Sequence, residues 1–185
     1  AGVQEGQATT TGYMLFKRFN RSISKTSPGV ASQNRPSIIF RLADFYLIYA
    51  EVANEVNPSD SRVLTYLNLV RERAGLPKVE ILNPGIVGNK ELQRAAIQRE
   101  RQIELATEGQ RYFDVRRWMI ADKDGEGRQN GYAHGMNVRG TINDTEEFNR
   151  VVETEKIVFN RKMYLQPIPD HEMRKTQNLV QNPGW

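Results

Sequence analysis

From Pro36 onward, apolar side chains recur at intervals of three and four. In "SIIFRLADFYLIYAEVANEV" Leu42, Phe45, Ile48 or Tyr49, Val52 and Val56 fall on one stripe, which predicts an amphipathic helix with Ser37 as a candidate cap. "NPSD" (57–60) reads as a turn that opens a second helix, "SRVLTYLNLVRERAG", with Val63, Leu67 and Val70 on one face. Gly75 and Pro77 stop it, the first as a left-handed cap and the second as a helix breaker. Residues 41–74 therefore read as a helical hairpin. Residues 77–89 read as a Pro/Gly loop. "NKELQRAAIQRERQIELATEG" reads as a third helix ended by Gly109, and "QRYFDVRRWMIAD" as a fourth. On a helical wheel, Leu92, Ala96, Ile103 and Ala106 of the third helix share a face that also takes in Arg99. Ile97 and Leu105 fall nearly opposite, so this helix is expected to pack on both flanks.

The flanks are less patterned. Residues 1–35 are polar, with one short run, "GYMLFKRF", that could be a strand. Residues 122–140 hold five glycines and read as loop. "KIVFN" (156–160) reads as a short strand, and "YLQPIPDHEMRKTQNLVQNPGW" as an extended segment with one helical turn opened by Asp170. The expected organisation is 1–35 loop or strand, 36–121 helical hairpins, and 122–185 loops with an extended tail. Successive hairpins define an all-α class of tetratricopeptide-like layout with little strand, although the signature residues of that repeat are poorly matched.

Composition narrows the chemistry. Among 185 residues there is no Cys, so disulfides, thiolate nucleophiles and Cys-ligated metals are excluded. No apolar run approaches membrane-span length, and the opening lacks the basic head and apolar block of a signal peptide. The net charge of +4 arises entirely in residues 1–35, which carry five basic side chains and one acid. A nucleic-acid binder spreads its basic residues over a face with aromatics among them. This concentration reads instead as a solvated segment, and no nucleic-acid partner is expected.

The densest chemistry lies in "RERQIELATEGQRYFDVRRW" (99–118), where Glu100, Glu104 and Glu108 stack at intervals of four. Like charges at that spacing cost a helix about 0.2–0.5 kcal/mol per pair, so they need a reason. Residues 91–118 hold six Arg against five acids, a balance that suits internal ion pairing. We read Arg99, Glu100, Glu104, Glu108, Arg111, Asp114, Arg116 and Arg117 as one structural charge network, with the arginines after Gly109 as the partners of the stripe. The catalytic rival is a glycosidase pair of carboxylates. That chemistry needs one acid held neutral, whereas surrounding Arg residues depress both pKa values. "DKDGEG" places Asp122, Asp124, Glu126 and Gly127 as an EF-hand loop would, but position twelve is Ala133 and the bidentate ligand is missing. His134 and His171 sit in no metal or triad spacing. No phosphate-binding or dinucleotide-binding loop occurs, so no cofactor is expected. Tyr13, Tyr132 and Trp185 are aromatic candidates for stacking on sugar rings, and Trp118 reads as core.

Four stretches together resemble the C-terminal part of the SusD/RagB family of outer-membrane glycan-binding lipoproteins. They are "RLADFYLIYAEVANE", "LNLVRERAGLP", "AIQRERQIELATEGQRYFDVRRW" and "YLQPIPDHEMRKTQNLVQNPGW". The third carries an ER-x-x-E-L-x-x-E-G-x-R-x-x-D-x-x-R-W arrangement, and the fourth leads from YL-x-PIP to a final NPGW. Gln110 and Thr107 depart from it, where the family often has His and an aromatic. The resemblance implies a SusD-like α/α superhelix with long irregular loops and no enzymatic activity. It implies capture of starch-like or other oligosaccharides and delivery to a SusC-like TonB-dependent outer-membrane transporter, from the cell surface of Bacteroidota. It also implies a lipid anchor outside this chain. The family's main aromatic platform lies largely upstream of the matched region, so no ligand-binding residue is assigned. The matched residues Glu100, Glu104, Arg111, Asp114, Arg116 and Trp118 read as architectural. The rival reading is a helical protein-interaction scaffold that binds a peptide between hairpins.

Overall fold

A computed structural model describes residues 38–123, 131–136 and 151–185, together with Leu15 and Lys17. The chain divides into two compact units, one formed by Pro36–Asp114 and the other containing Val115–Trp185. The first is helical. α1 (Leu42–Val56) and α2 (Arg62–Arg73) pack as a hairpin about the 57–60 turn, where the Asp60 carboxylate accepts from the Arg62 backbone N–H. Gly75 closes the hairpin at φ 76°, the left-handed conformation that its position demands. α4 (Lys90–Glu104) lies against both helices and starts at Asn89, whose side chain accepts from Leu92 N–H at 3.1 Å. Leu47, Ala50, Val63, Leu67, Val70 and Ile97 interlock as the core of this unit.

The supposed loop at 77–89 contains a short helix, α3 (Val79–Leu82), and a 3₁₀ turn (Pro84–Ile86). Buried Asn68 of α2 pins α3, accepting from Val79 N–H at 3.0 Å and donating to Glu80 at 2.8 Å. No hydrophobic period announces so short a helix, because a side-chain amide from another helix supplies its first hydrogen bond.

The expected face of α1 is reversed. α1 buries Ala43, Asp44, Leu47, Ala50 and Asn54, and leaves Leu42, Phe45, Ile48, Tyr49, Val52 and Val56 exposed. Its small side chains let α2 and α4 approach closely, and Asn54 donates to the Lys90 carbonyl at 3.0 Å. α4 packs on one of its two expected flanks: Ile97 and Leu105 are buried, with Gln93, Glu100 and Arg101 beside them, while Ile103 on the other flank is 57% exposed. Polar residues sit on the inner side because each has a partner there.

α5 (Gln110–Arg117) begins in the first unit and ends in the second. The second unit gathers Val115, Ala121 and Phe159 into a small core, with Ile120, Met163 and Tyr164 against it. In a two-stranded antiparallel sheet of β1 (Gly131–Met136) and β2 (Val151–Ile157), β1 lies within the 122–140 stretch expected as a glycine loop. β2 overlaps the anticipated 156–160 strand only at Lys156 and Ile157. The remaining segment holds a 3₁₀ turn (Arg161–Tyr164) and α6 (Asp170–Met173), the helical turn read from Asp170. Side chains rather than a backbone ladder tie the tail. The Gln181 amide both accepts from Ile168 N–H (2.8 Å) and donates to its carbonyl (2.9 Å), and the Trp185 indole N–H lies 3.0 Å from the carbonyls of Lys162 and Leu165. The described residues are mostly helical, in line with the expected class. No helix among them is long and apolar enough to cross a membrane. Ser37 and most of "GYMLFKRF" lie outside the described residues, and α1 begins at Leu42.

Candidate functional site

The charged stretch is a set of carboxylates held by guanidinium groups. Within the first unit, Glu100 accepts from Arg71 at 2.9 Å, and both side chains are largely buried. Glu104 lies between Arg41 and Arg73, the latter at 2.5 Å. Arg41 also bonds Glu108 at 2.7 Å and donates to the Glu104 carbonyl. That last contact reaches a carbonyl in the final turn of α4, where a cation is also favoured by the helix dipole.

The innermost member is Arg101, whose side chain is only 2% exposed. It donates to Asp44 of α1 at 2.8 Å and to Asp114 of α5 at 3.0 Å. Three segments of the chain therefore converge on one guanidinium. Arg101 suits this place because its planar fork bonds two carboxylates while keeping its charge.

The sequence pointed to Arg111, Arg116 and Arg117 as partners of the stripe; Arg41, Arg71 and Arg73, which it did not single out, also belong to the charge network and reach the stripe from the first hairpin. Arg99, placed by the wheel in an apolar arc, is exposed and forms no ion pair among the described residues. Arg101, two positions on, was the residue to choose. Arg101 follows Ile97 by four and Gln93 by eight, in phase with the buried side of α4. Arg41 and Asp44, two charges at the head of an otherwise apolar run, were a second legible signal. Arg111 is half-buried on α5. In the second unit the Arg116 guanidinium lies 5.0 Å over the Phe159 ring, and that of Arg117 lies 4.7 Å over Trp118, which is half-buried.

The stacking candidates fare unevenly. Trp185 is engaged through its indole N–H, and its ring lies 4.2 Å from the Lys162 ammonium. Tyr132 belongs to β1 rather than to a loop, and Tyr13 lies outside the described residues. Asp122, first residue of the calcium-like loop, instead accepts from the Tyr164 hydroxyl, and this bond holds its carboxyl below the usual range. Most of that loop, from Asp124 to Asn130, lies outside the described residues. His171 is paired with Glu172 at 3.1 Å, and His134 sits in β1 opposite Glu153.

A helical hairpin stack cross-braced by buried Arg–carboxylate pairs defines a scaffold class of protein. The chain matches the SusD family model over residues 2–185, and it belongs to that family. It is 44% identical over 106 residues to SusD-like protein P25 of Formosa agariphila, covering 57% of this chain and 19% of that protein. SusD-like protein P2 of the same organism is 31% identical over 153 residues, or 80% of this chain and 26% of the relative. Among solved structures, BT4246 superposes with a TM-score of 0.66 at 34% identity, over 83% of this chain and 24% of its own. The chain thus spans about a fifth to a quarter of the length of the relatives it matches.

Proposed function

We propose that this chain forms part of a cell-surface protein that captures an oligosaccharide and hands it, chemically unchanged, to a SusC-like TonB-dependent outer-membrane transporter. Membership of the SusD family supports capture without catalysis. The observation that carries the non-enzymatic half is the neutralised stripe. Glu100, Glu104 and Glu108 each accept from an arginine, and these ion pairs tie the three carboxylates into the scaffold. In this reading the network is architectural and the protein is anchored by lipid on the outer leaflet. Capture rests on ring stacking and hydroxyl hydrogen bonding, and delivery on a protein interface.

Two measurements test the proposal. Incubation with an oligosaccharide panel should give binding with no new reducing ends, and affinity capture from outer membranes should retrieve a TonB-dependent transporter. Release of sugar that disappears in Glu104→Gln, with the melting temperature unchanged, would overturn the non-catalytic reading. Glu104→Gln is expected instead to lower stability, since Arg41 and Arg73 lose their shared carboxylate.

A further inference from the structure

We infer that the outward face of α1 is the seat of a further amphipathic helix, supplied by the same polypeptide from outside these 185 residues. This inference does not depend on glycan capture.

The spacing of the face carries the argument. Leu42, Phe45, Tyr49, Val52 and Val56 are all exposed and follow one another at intervals of three, four, three and four. That is the a/d pattern by which one helix presents knobs to another, and it runs for about 21 Å at 1.5 Å per residue. Ile48 flanks the stripe, and Phe40 extends it beyond the start of the helix, its ring 6.3 Å from that of Phe45. The Tyr49 ring is backed at 4.5 Å by Tyr66 of α2, which holds this knob in place.

The neighbouring helices fill their exposed positions differently. α2 exposes Thr65 and Glu72 beside Leu69, with Arg62 and Arg73 at its ends. α4 exposes Glu91, Arg99 and Gln102 beside Leu92 and Ile103. Among the exposed residues of α1 the one charge is Glu55, which lies off the stripe and is paired with Lys90 and Arg94 of α4. The apolar stripe is thus particular to α1 and not a general property of this unit's surface.

The pattern and the available length choose the occupant. A stripe with no charge along it, and an acid only at its margin, offers nothing to a polyanion or a charged peptide. Knobs at a/d spacing fit the holes of another helix crossing at a shallow angle of about 20°. The hairpin itself supplies no such helix, because α2 and α4 lie against the opposite, buried side of α1. This chain covers 19% of one relative and 26% of another, so a SusD-like polypeptide has ample length in which to carry the partner.

The experiment is thiol labelling of the complete product of the gene, compared with the 185-residue chain. These residues contain no Cys, so Phe45→Cys, Val52→Cys and Glu55→Cys each place one thiol in the tryptic peptide Leu42–Arg62. All three positions are exposed, so the substitutions leave the core intact, and helical circular dichroism checks this for each variant. In the complete product, Phe45→Cys and Val52→Cys should react with a maleimide about a hundredfold more slowly in native buffer than in urea, since the thiol waits on local opening. In the 185-residue chain at micromolar concentration, the same two thiols should react within about threefold of their rate in urea. Glu55→Cys should react freely in both proteins, because one helix covers one stripe. Free reaction of Phe45→Cys and Val52→Cys in the complete product overturns the inference, as does protection already present in the 185-residue chain. Protection that fades on dilution from micromolar to nanomolar makes a second copy the occupant and overturns it too. Equal protection of Glu55→Cys means a cover broader than one helix, and the helix assignment falls.

Discussion

Arg101 decides more of this structure than its neighbours in sequence suggest. A buried guanidinium between Asp44 and Asp114 is held by charges that would be costly if bared. Arg101→Met should lower the unfolding free energy by about 3–5 kcal/mol, measured by urea denaturation. Adding Asp44→Asn and Asp114→Asn should restore part of that loss, because no unpaired carboxylate then remains; an additive loss would mean that the three do not act as a unit. The sequence revealed that acids and arginines were balanced here but not which arginine was central. Arg99 and Arg101 look alike along the chain. The choice between them is made by Asp44, 57 residues away, and local periodicity carries no record of it. At the surface the stakes are smaller. The hydrogen bond from Arg94 holds the Glu55 carboxyl down at about 2, below its ordinary 4.5. A carboxyl depressed by folding stabilises the protein above its unfolded pKa, and the gain is lost as pH falls through the folded value. The stability difference between wild type and Glu55→Gln should thus be present at pH 6, shrink below pH 4.5 and vanish near pH 2. Because the pair is exposed, the difference stays within about 1 kcal/mol.

At the scale of elements, the long helices were legible and their facing was not. Capping and breaking residues at Asn89, Gly75 and Pro77 mark real ends, since each acts on the backbone within a few residues of itself. The orientation of α1 and α4 depends on tertiary partners. A stripe of Leu, Phe and Val lost to a face of alanines, Asp44 and Asn54 because the second gives close approach and satisfied polar groups. The α3 helix and the sheet at 131–136 and 151–157 were missed because no long hydrophobic period marks them. The tail offers a sharper element-level test. Gly184 sits at φ 89°, and a Cβ there would lie 2.9 Å from the Cβ of Lys162. Gly184→Ala is therefore both strained and crowded, and should displace Trp185 from the carbonyls of Lys162 and Leu165. The Trp185 indole N–H signal in an NMR spectrum, assigned with Trp185→Phe, should move toward its unfolded position. An unmoved signal would show that the turn tolerates the extra methyl.

For the molecule as a whole, the family was readable from four motifs, whereas the packing of Tyr66 of α2 against Tyr46 and Tyr49 of α1 was not. Tyr46, Tyr49 and Tyr66 look like ordinary helix residues until two helices are laid side by side. The outward stripe of α1 has its own consequence for handling. Phe45 and Val52 are 57% exposed and Val56 is 81% exposed, on a single helix face with no charge between them. Such a face makes the chain adhesive in water. Its light scattering should climb steeply with concentration and fall when a mild detergent is added. Phe45→Glu with Val52→Glu should abolish the climb while leaving the helical circular dichroism intact. A wild type that stays monodisperse at millimolar concentration would mean that this oily ridge is far less greedy than its composition says.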